Sequence, residues 1–267
     1  MDLAQSPMRD IGELSFGKRE APTIELQPEA ALLGTATMGQ RQMVSDQAIQ
    51  HTPWRKVCDL LITANDGTQH AGTAWFISPR TLLTAGHCLF VHNPGTAMHG
   101  KIRKVLVMPA RNAESDAAQS LFGWAEVPRE NLQVHSGWES GDIDFDYGVI
   151  VLPDNLPAIG ERTGWFGYDH YQDEDLDETT PTLSGYPDDV PQDGTQWFEI
   201  NLIKQLSSRR VFYSIHTVAG QSGSPVFFHA GDSDIACAIH NWGDTTLNSG
   251  VRINQEVIEQ LNAWKVN

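Results

Sequence analysis

From Cys58 onward the chain is a succession of short apolar runs, each closed by glycine, proline, asparagine or aspartate. They are VCDLLITANDG, GTAWFISPRTLLTAGHC, KIRKVLVMPA, DYGVIVLPD, TPTLSGYPDD, TQWFEINLI, RRVFYSIHTVAG, SPVFFHAGD and DIACAIHNWG. Short runs with turn chemistry between them predict an all-β barrel or sandwich. Asp66-Gly67, between an apolar run and HAGTAW, is placed for a hairpin turn. Only the C-terminal segment carries a helical period: Val257, Ile258, Leu261 and Trp264 fall on one face of Asn254–Trp264. Asn254 suits the N-cap, while Glu256 and Lys265 suit the two ends of the helix dipole. A lone terminal helix of this kind is expected to pack its apolar face on the β body.

Residues 1–50 lack a clear period and are rich in Gln, Glu, Met, Ala and Pro, so they read as an N-terminal extension and candidate propeptide ahead of a folded body at 51–267. The acidic run Asp173–Glu178 lacks the glycine and ligand spacing of a calcium loop and reads as a solvated surface loop. Eighteen Lys plus Arg against 34 Asp plus Glu leave a formal net charge of −16. With no basic run, neither nucleic acid nor an anionic membrane surface is expected as a partner, because both are bound through clustered Lys and Arg. No stretch approaches the roughly 18 apolar residues of a spanning helix. The first twenty residues are polar and mixed in charge, unlike a secretory signal, which leaves three readings open: a signal already removed, another export route, or an intracellular life. Cys58, Cys88 and Cys237 allow at most one disulfide and have no zinc-site spacing, and neither metal nor cofactor is expected.

Three segments carry chemistry. Thr84-Ala85-Gly86-His87-Cys88 ends an apolar run, and a histidine just past a strand end is held by the scaffold while its ring faces a cleft, as a general base requires. Phe145-Asp146-Tyr147-Gly148 opens a strongly apolar strand, and its carboxylate is placed to accept the Nδ1–H of a histidine; Asp144, two residues earlier, is its rival. In Gly220-Gln221-Ser222-Gly223-Ser224-Pro225 the glycines permit dihedrals that turn backbone N–H groups inward toward an oxyanion. Each segment alone has a bland structural explanation. Together, in the chain order His, Asp, Ser, they match the chymotrypsin arrangement.

From about Trp54 to Lys265 the chain resembles the bacterial glutamyl endopeptidases, a branch of the chymotrypsin-like (trypsin-like) serine proteases. The matching stretches are TAGHC, SGW, DYGVI, SGYP at 184–187, GTQW at 194–197, GQSGSPVF at 220–227, AIH at 238–240 and RINQEVIEQLNAWK. The resemblance implies two antiparallel six-stranded β-barrels with a C-terminal α-helix and an active site between the barrels. It implies a triad of His87, Asp146 and Ser222, with the N–H groups of Gly220 and Ser222 as the oxyanion hole. Ser224 takes the second glycine position of the familiar GDSGGP pattern and is not expected to be the nucleophile. Thr217, five residues before Ser222, and His240 match the positions that bind a P1 glutamate carboxylate. Family members also use an α-amine freed from a propeptide; if residues 1–50 are one here, the expected cut lies between Gly34 and Asp46.

The cysteines depart from the common pattern, because the usual upstream partner of Cys88 falls in His70–Thr73; Cys58 is the candidate substitute and Cys237 reads as a buried free thiol. The function expected is cleavage of protein or peptide substrates after Glu, with Asp second, by a monomer; secretion is implied only by the family. Two alternatives stay open: a serine protease of different or broader P1 preference, and a protease fold kept as an inactive binding module.

Overall fold

A computed structural model of the chain describes residues 37–112, 120–190, 194–231, 233–243 and 246–267. Strand β1 (Gln42–Met43) comes first. The first sheet uses β2 (Val57–Thr63), β3 (Gln69–Phe76) and β4 (Thr81–Thr84). After a two-stranded ribbon, β5 (Phe90–Val91) with β6 (Gly100–Lys101), it continues in β7 (Lys104–Pro109), β8 (Ala125–Pro128), β9 (Leu132–Val134) and β10 (Gly148–Val151). Their order is β8-β7-β2-β3-β4-β10-β9.

The second sheet draws on β11 (Gly167–Tyr168), β12 (Thr182–Gly185), β13 (Trp197–Ile200) and β14 (Ile203–Leu206). It is completed by β15 (Arg210–Tyr213), β16 (Pro225–Ala230), β17 (Ser233–Trp242) and β18 (Asn248–Arg252). Its order is β1-β13-β12-β16-β17-β18-β15-β14. The protein is thus mostly β, with two barrel-like sheets. The strand counts exceed the expected six, because short edge strands such as β1 join, and β11 pairs with β17 in parallel rather than antiparallel fashion.

The central strands of the first sheet, β2, the second half of β3, β4 and β10, are buried on both faces, which explains their apolar runs. Ala74, Phe76, Leu82 and Ile150 fill its interior, whereas their neighbours Trp75, Ile77, Leu83 and Val149 face a second core shared with Phe227 and Ile239 of the other sheet. The period-2 alternation therefore sorts each strand between barrel interior and barrel–barrel interface. Asp66-Gly67 does form the β2–β3 turn: Gly67 has φ +90°, and the Asp66 carboxylate accepts from Thr68 N at 3.0 Å.

The terminal helix spans Gln255–Trp264; Asn254 caps it by accepting from Val257 N, and Val257 and Leu261 are buried in the shared core. The acidic run is a one-turn helix at Asp173–Leu176 rather than an open loop. Leu176 is buried there, Asp175 accepts from Gln172 N at 3.3 Å, and carboxylates suit the first turn of a helix. Cys58 and Cys88 do not pair: all three cysteines are buried free thiols, and burial pushes Cys58 up and Cys237 to about 12.

Residues 1–36, where most of the proposed extension falls, lie outside the described residues. Residues 37–50 are part of the fold: β1 pairs with β13, Gly39 N donates to Ile200 O, and Val44, Ala48 and Ile49 bury against Trp54 and Phe198. Part of the stretch in which a cut is expected is thereby built into the second barrel.

Leu261 is fully buried where helix and barrels meet. Leu261→Ala should cost about 2–5 kcal/mol, measured by denaturant unfolding. A cost of only a few tenths would mean that the helix is not part of the shared core.

Candidate active site

Strand β4 ends at Thr84, which lies opposite Gly148 at the start of β10. Antiparallel register delivers the residues after Thr84 and those before Gly148 to one edge of the first sheet. A 3-10 turn over Gly86–Cys88 carries His87, and Asp146 follows the 3-10 turn Ile143–Phe145. One Asp146 oxygen accepts from the His87 backbone N–H at 2.7 Å, and the other lies 2.8 Å from Nδ1. A single carboxylate thus sets both the position of the histidine and the direction of its ring. Gly86 is required by space: a Cβ there would lie 2.9 Å from Tyr147 N and 3.0 Å from an Asp146 oxygen. Trp138 stands edge-on to His87, its ring 6.1 Å away and its Nε1 donating to Phe90 O.

The His87 side chain keeps 27% exposure and that of Asp146 only 5%. Burial opposes the imidazolium, but the Asp146 carboxylate, with help from Cys88, outweighs it and holds the His87 pKa well above the usual value. Asp144 is not at His87. Its side chain is 39% exposed and 3.9 Å from Arg210.

The loop between β15 and β16 brings Ser222 from the second barrel. Gly220 and Gly223 have φ +86° and +91°, and a Cβ would lie 2.3 Å from Tyr186 O at the first and 2.1 Å from Thr73 O at the second. Three loop carbonyls bond to the first barrel: Gly220 O accepts from Thr73 Oγ1 at 2.9 Å, Ser222 O from Thr73 N at 2.8 Å, and Gly223 O from Trp75 Nε1 at 3.1 Å. Ser222 O is also 3.7 Å from Cys88 Sγ, beside His87. The N–H groups of Gln221, Gly223 and Ser224 are taken by Val218, His240 and Gln221 carbonyls, whereas those of Gly220 and Ser222 have no acceptor among the described residues. Ser222 is half-buried. Ser224 is fully buried, its hydroxyl unpartnered and pressed against Gly185, where a Cβ would lie 2.0 Å from it.

Thr217 carries a buried Oγ1 with no hydrogen-bond partner among the described residues. His240 is 3% exposed, and its Nδ1 is 2.7 Å from the Tyr213 hydroxyl. Burial, reinforced by His87 and Arg210 and partly opposed by the Ser249 carbonyl, pushes its pKa down to about 3, so the ring is neutral. Thr73 and Tyr213 escaped the sequence reading, as did the pair of buried Glu199 and exposed His216, whose Nδ1 lies 3.1 Å from a Glu199 oxygen. Motif spacing gives no sign of them, because their partners are remote in sequence: Thr73 and Gly220 are 147 positions apart. No group of three or more His, Cys, Asp or Glu among the described residues is arranged to hold a metal ion.

Two β-barrels with a histidine, an aspartate and a serine loop at their junction define the class of chymotrypsin-like serine protease folds. The family model described as Trypsin matches residues 43–264, and the chain belongs to that family. It is 35% identical over 201 residues to a glutamyl endopeptidase of Bacillus licheniformis, covering 72% of this chain and 59% of the relative. It is 28% identical to a Bacillus subtilis protein named extracellular metalloprotease, covering 90% of this chain and 71% of that one. A glutamyl endopeptidase of Staphylococcus epidermidis is 36% identical, over 73% of this chain and 63% of its own. The chain thus spans about three fifths of the length of both glutamyl endopeptidases. A solved structure of a Glu endopeptidase in complex with MPD shares the fold, with TM-score 0.69 at 24% identity, over 85% of this chain and 97% of that one.

The His87–Asp146 geometry makes a prediction independent of activity. In Asp146→Asn the carboxylate is gone and burial dominates, so the His87 pKa, followed by NMR titration, should drop from above to below about 6.5. Because the folded pKa lies above the unfolded one, this pair adds stability that is fully present below the unfolded pKa and lost as pH rises through the folded one. Asp144→Asn should barely move it; a larger shift there than in Asp146→Asn would overturn the assignment.

Proposed function

We propose that the protein is a serine endopeptidase that hydrolyses peptide bonds after glutamate, with aspartate second, through an acyl-enzyme on Ser222. The observation that carries this reading is the two-oxygen grip of Asp146 on His87, at the junction where the second barrel presents a half-buried serine. With Nδ1–H given to Asp146, the Nε2 lone pair of His87 is free to take the Ser222 proton as its oxygen attacks the substrate carbonyl. The unclaimed N–H groups of Gly220 and Ser222 meet the oxyanion. His87 then passes the proton to the leaving amine, and water repeats the cycle on the ester.

The names of the glutamyl endopeptidase relatives support the P1 preference, and two neutral groups are its candidate donors: the Thr217 hydroxyl, which has no partner among the described residues, and the uncharged His240 ring. Hydroxyl and imidazole N–H both donate to a carboxylate without a full positive charge. Any α-amine freed by a cut ahead of β1 would add that charge. Defined truncations assayed on paired Glu and Gln substrates test this; full Glu-selective activity of the uncut chain would dismiss activation by cleavage.

Fluorophosphonate should label the native protein, and Ser222→Ala should abolish labelling while Ser224→Ala retains turnover. Labelling at Ser224 in Ser222→Ala would move the nucleophile, and no labelling of the native chain would favour a binding module. Because the base must be neutral, kcat/KM should rise with pH through the raised His87 pKa, placing its acidic limb above the ordinary imidazole range. Replacing His240 by a residue that cannot donate should cost about 1–3 kcal/mol against P1 Glu alone. Equal losses for Glu and Gln would make His240 structural and leave the broader-specificity reading.

A further inference from the structure

The loop that carries Asp146 belongs to the first barrel, yet a group from the second barrel supports it. Arg210, the first residue of β15, is buried at 6% exposure among residues of the second sheet. Its guanidinium donates to Asn241 Oδ1 at 3.0 Å and Ser249 Oγ at 2.6 Å, which root it in β17 and β18. Its other arm crosses the junction and donates to Ile143 O at 3.0 Å, in the turn that ends at Asp146. Asn241 makes a parallel link, its amide reaching the Asp146 carbonyl at 3.5 Å.

We infer that Arg210 is a positioning residue for the acid of the triad: it fixes the 143–146 turn against the second barrel, and through it the angle at which Asp146 holds His87. The inference rests on the serine-protease reading above. The guanidinium suits this task better than an ammonium, because its planar fork serves three acceptors in fixed directions at once. It also places a buried positive charge close to Asp146 without competing for the two carboxylate oxygens, both of which remain on His87. Asp144, partly exposed and 3.9 Å from Arg210, is a weak partner, so the carbonyl of Ile143 is the contact that matters.

The test compares Arg210→Met, Arg210→Lys, Asn241→Leu and, as a control, Asp144→Asn. Fluorophosphonate labelling of the native chain comes first: its absence would sink the protease reading and this inference with it, whereas a labelled native chain with unaffected variants would sink this inference alone. Arg210→Met should lower kcat and the labelling rate together with little change in KM, by on the order of 100-fold if the acid is displaced by about 1 Å. The acidic limb of its kcat/KM profile should also shift. The charged or titratable groups facing His87 are Asp146, Cys88 and His240, and those facing Arg210 are Asp144, Asp146, Tyr213 and His240; the variant leaves all of them in place. Arg210→Lys should recover only part of the loss, and Asp144→Asn should behave as native. If Arg210→Met does not fold, Asn241→Leu cuts the parallel link and should change rate and limb in the same direction. A folded Arg210→Met, or failing that a folded Asn241→Leu, with native labelling rate and an unmoved acidic limb would overturn the inference.

Discussion

Thr73 holds the two halves of the molecule in the relation on which the site depends. It is completely buried in β3, and every polar atom it has is engaged. Its N–H bonds the Ser222 carbonyl, and its hydroxyl donates to Gly220 O and accepts from Tyr186 N at 3.0 Å. Its carbonyl accepts from Thr84 Oγ1 at 2.7 Å. One threonine of the first barrel therefore touches the serine loop, the SGYP strand end and the strand that leads to His87. Buried polar networks of this kind specify geometry because an unmade bond inside protein is expensive. With the loop carbonyls drawn toward Thr73 and Trp75, the N–H groups of Gly220 and Ser222 have no acceptor among the described residues.

The apolar interface makes such precision affordable to keep. Trp75, Leu83 and Val149 from one sheet meet Phe227 and Ile239 from the other, with Val257 and Leu261 of the terminal helix closing the same core. A buried ion pair also crosses the junction: Lys56, just before β2, lies 2.5 Å from Asp234 of β17. Arg210 adds its cross-barrel bond to the 143–146 turn, so that turn and the Ser222 loop are each tied to both barrels rather than to one.

Electrostatics separate the two histidines of the cleft. His87 has a carboxylate against it and is pulled toward the charged form, whereas His240 is enclosed, shares the region with His87 and Arg210, and is held neutral. A net charge of −16 repels an acidic peptide at long range. Under the proposed preference for a P1 carboxylate, selectivity would come from local donors such as the Thr217 hydroxyl, since hydrogen bonds count for more where the dielectric is low.

The sequence by itself determined the all-β class, the Asp66-Gly67 hairpin and the capped terminal helix, because each rests on period, turn chemistry or capping within a dozen residues. It also named His87, Asp146 and Ser222 as candidates, since TAGHC, DYGVI and GQSGSP carry their local geometry with them. The family resemblance preferred Asp146 to Asp144 and Ser222 to Ser224; the tertiary structure adds how their surroundings differ, with Asp146 buried against His87 and Asp144 beside Arg210, Ser222 half-buried and Ser224 enclosed. Only the tertiary structure decided that the cysteines stay free, that residues 37–50 join the second barrel, and where Thr73 and Arg210 bond. Their bonds span distances in sequence such as the 67 positions from Arg210 to Ile143 and the 147 from Thr73 to Gly220. A contact between remote segments leaves no period in the chain, so it exists as a fact only once the barrels have closed on each other.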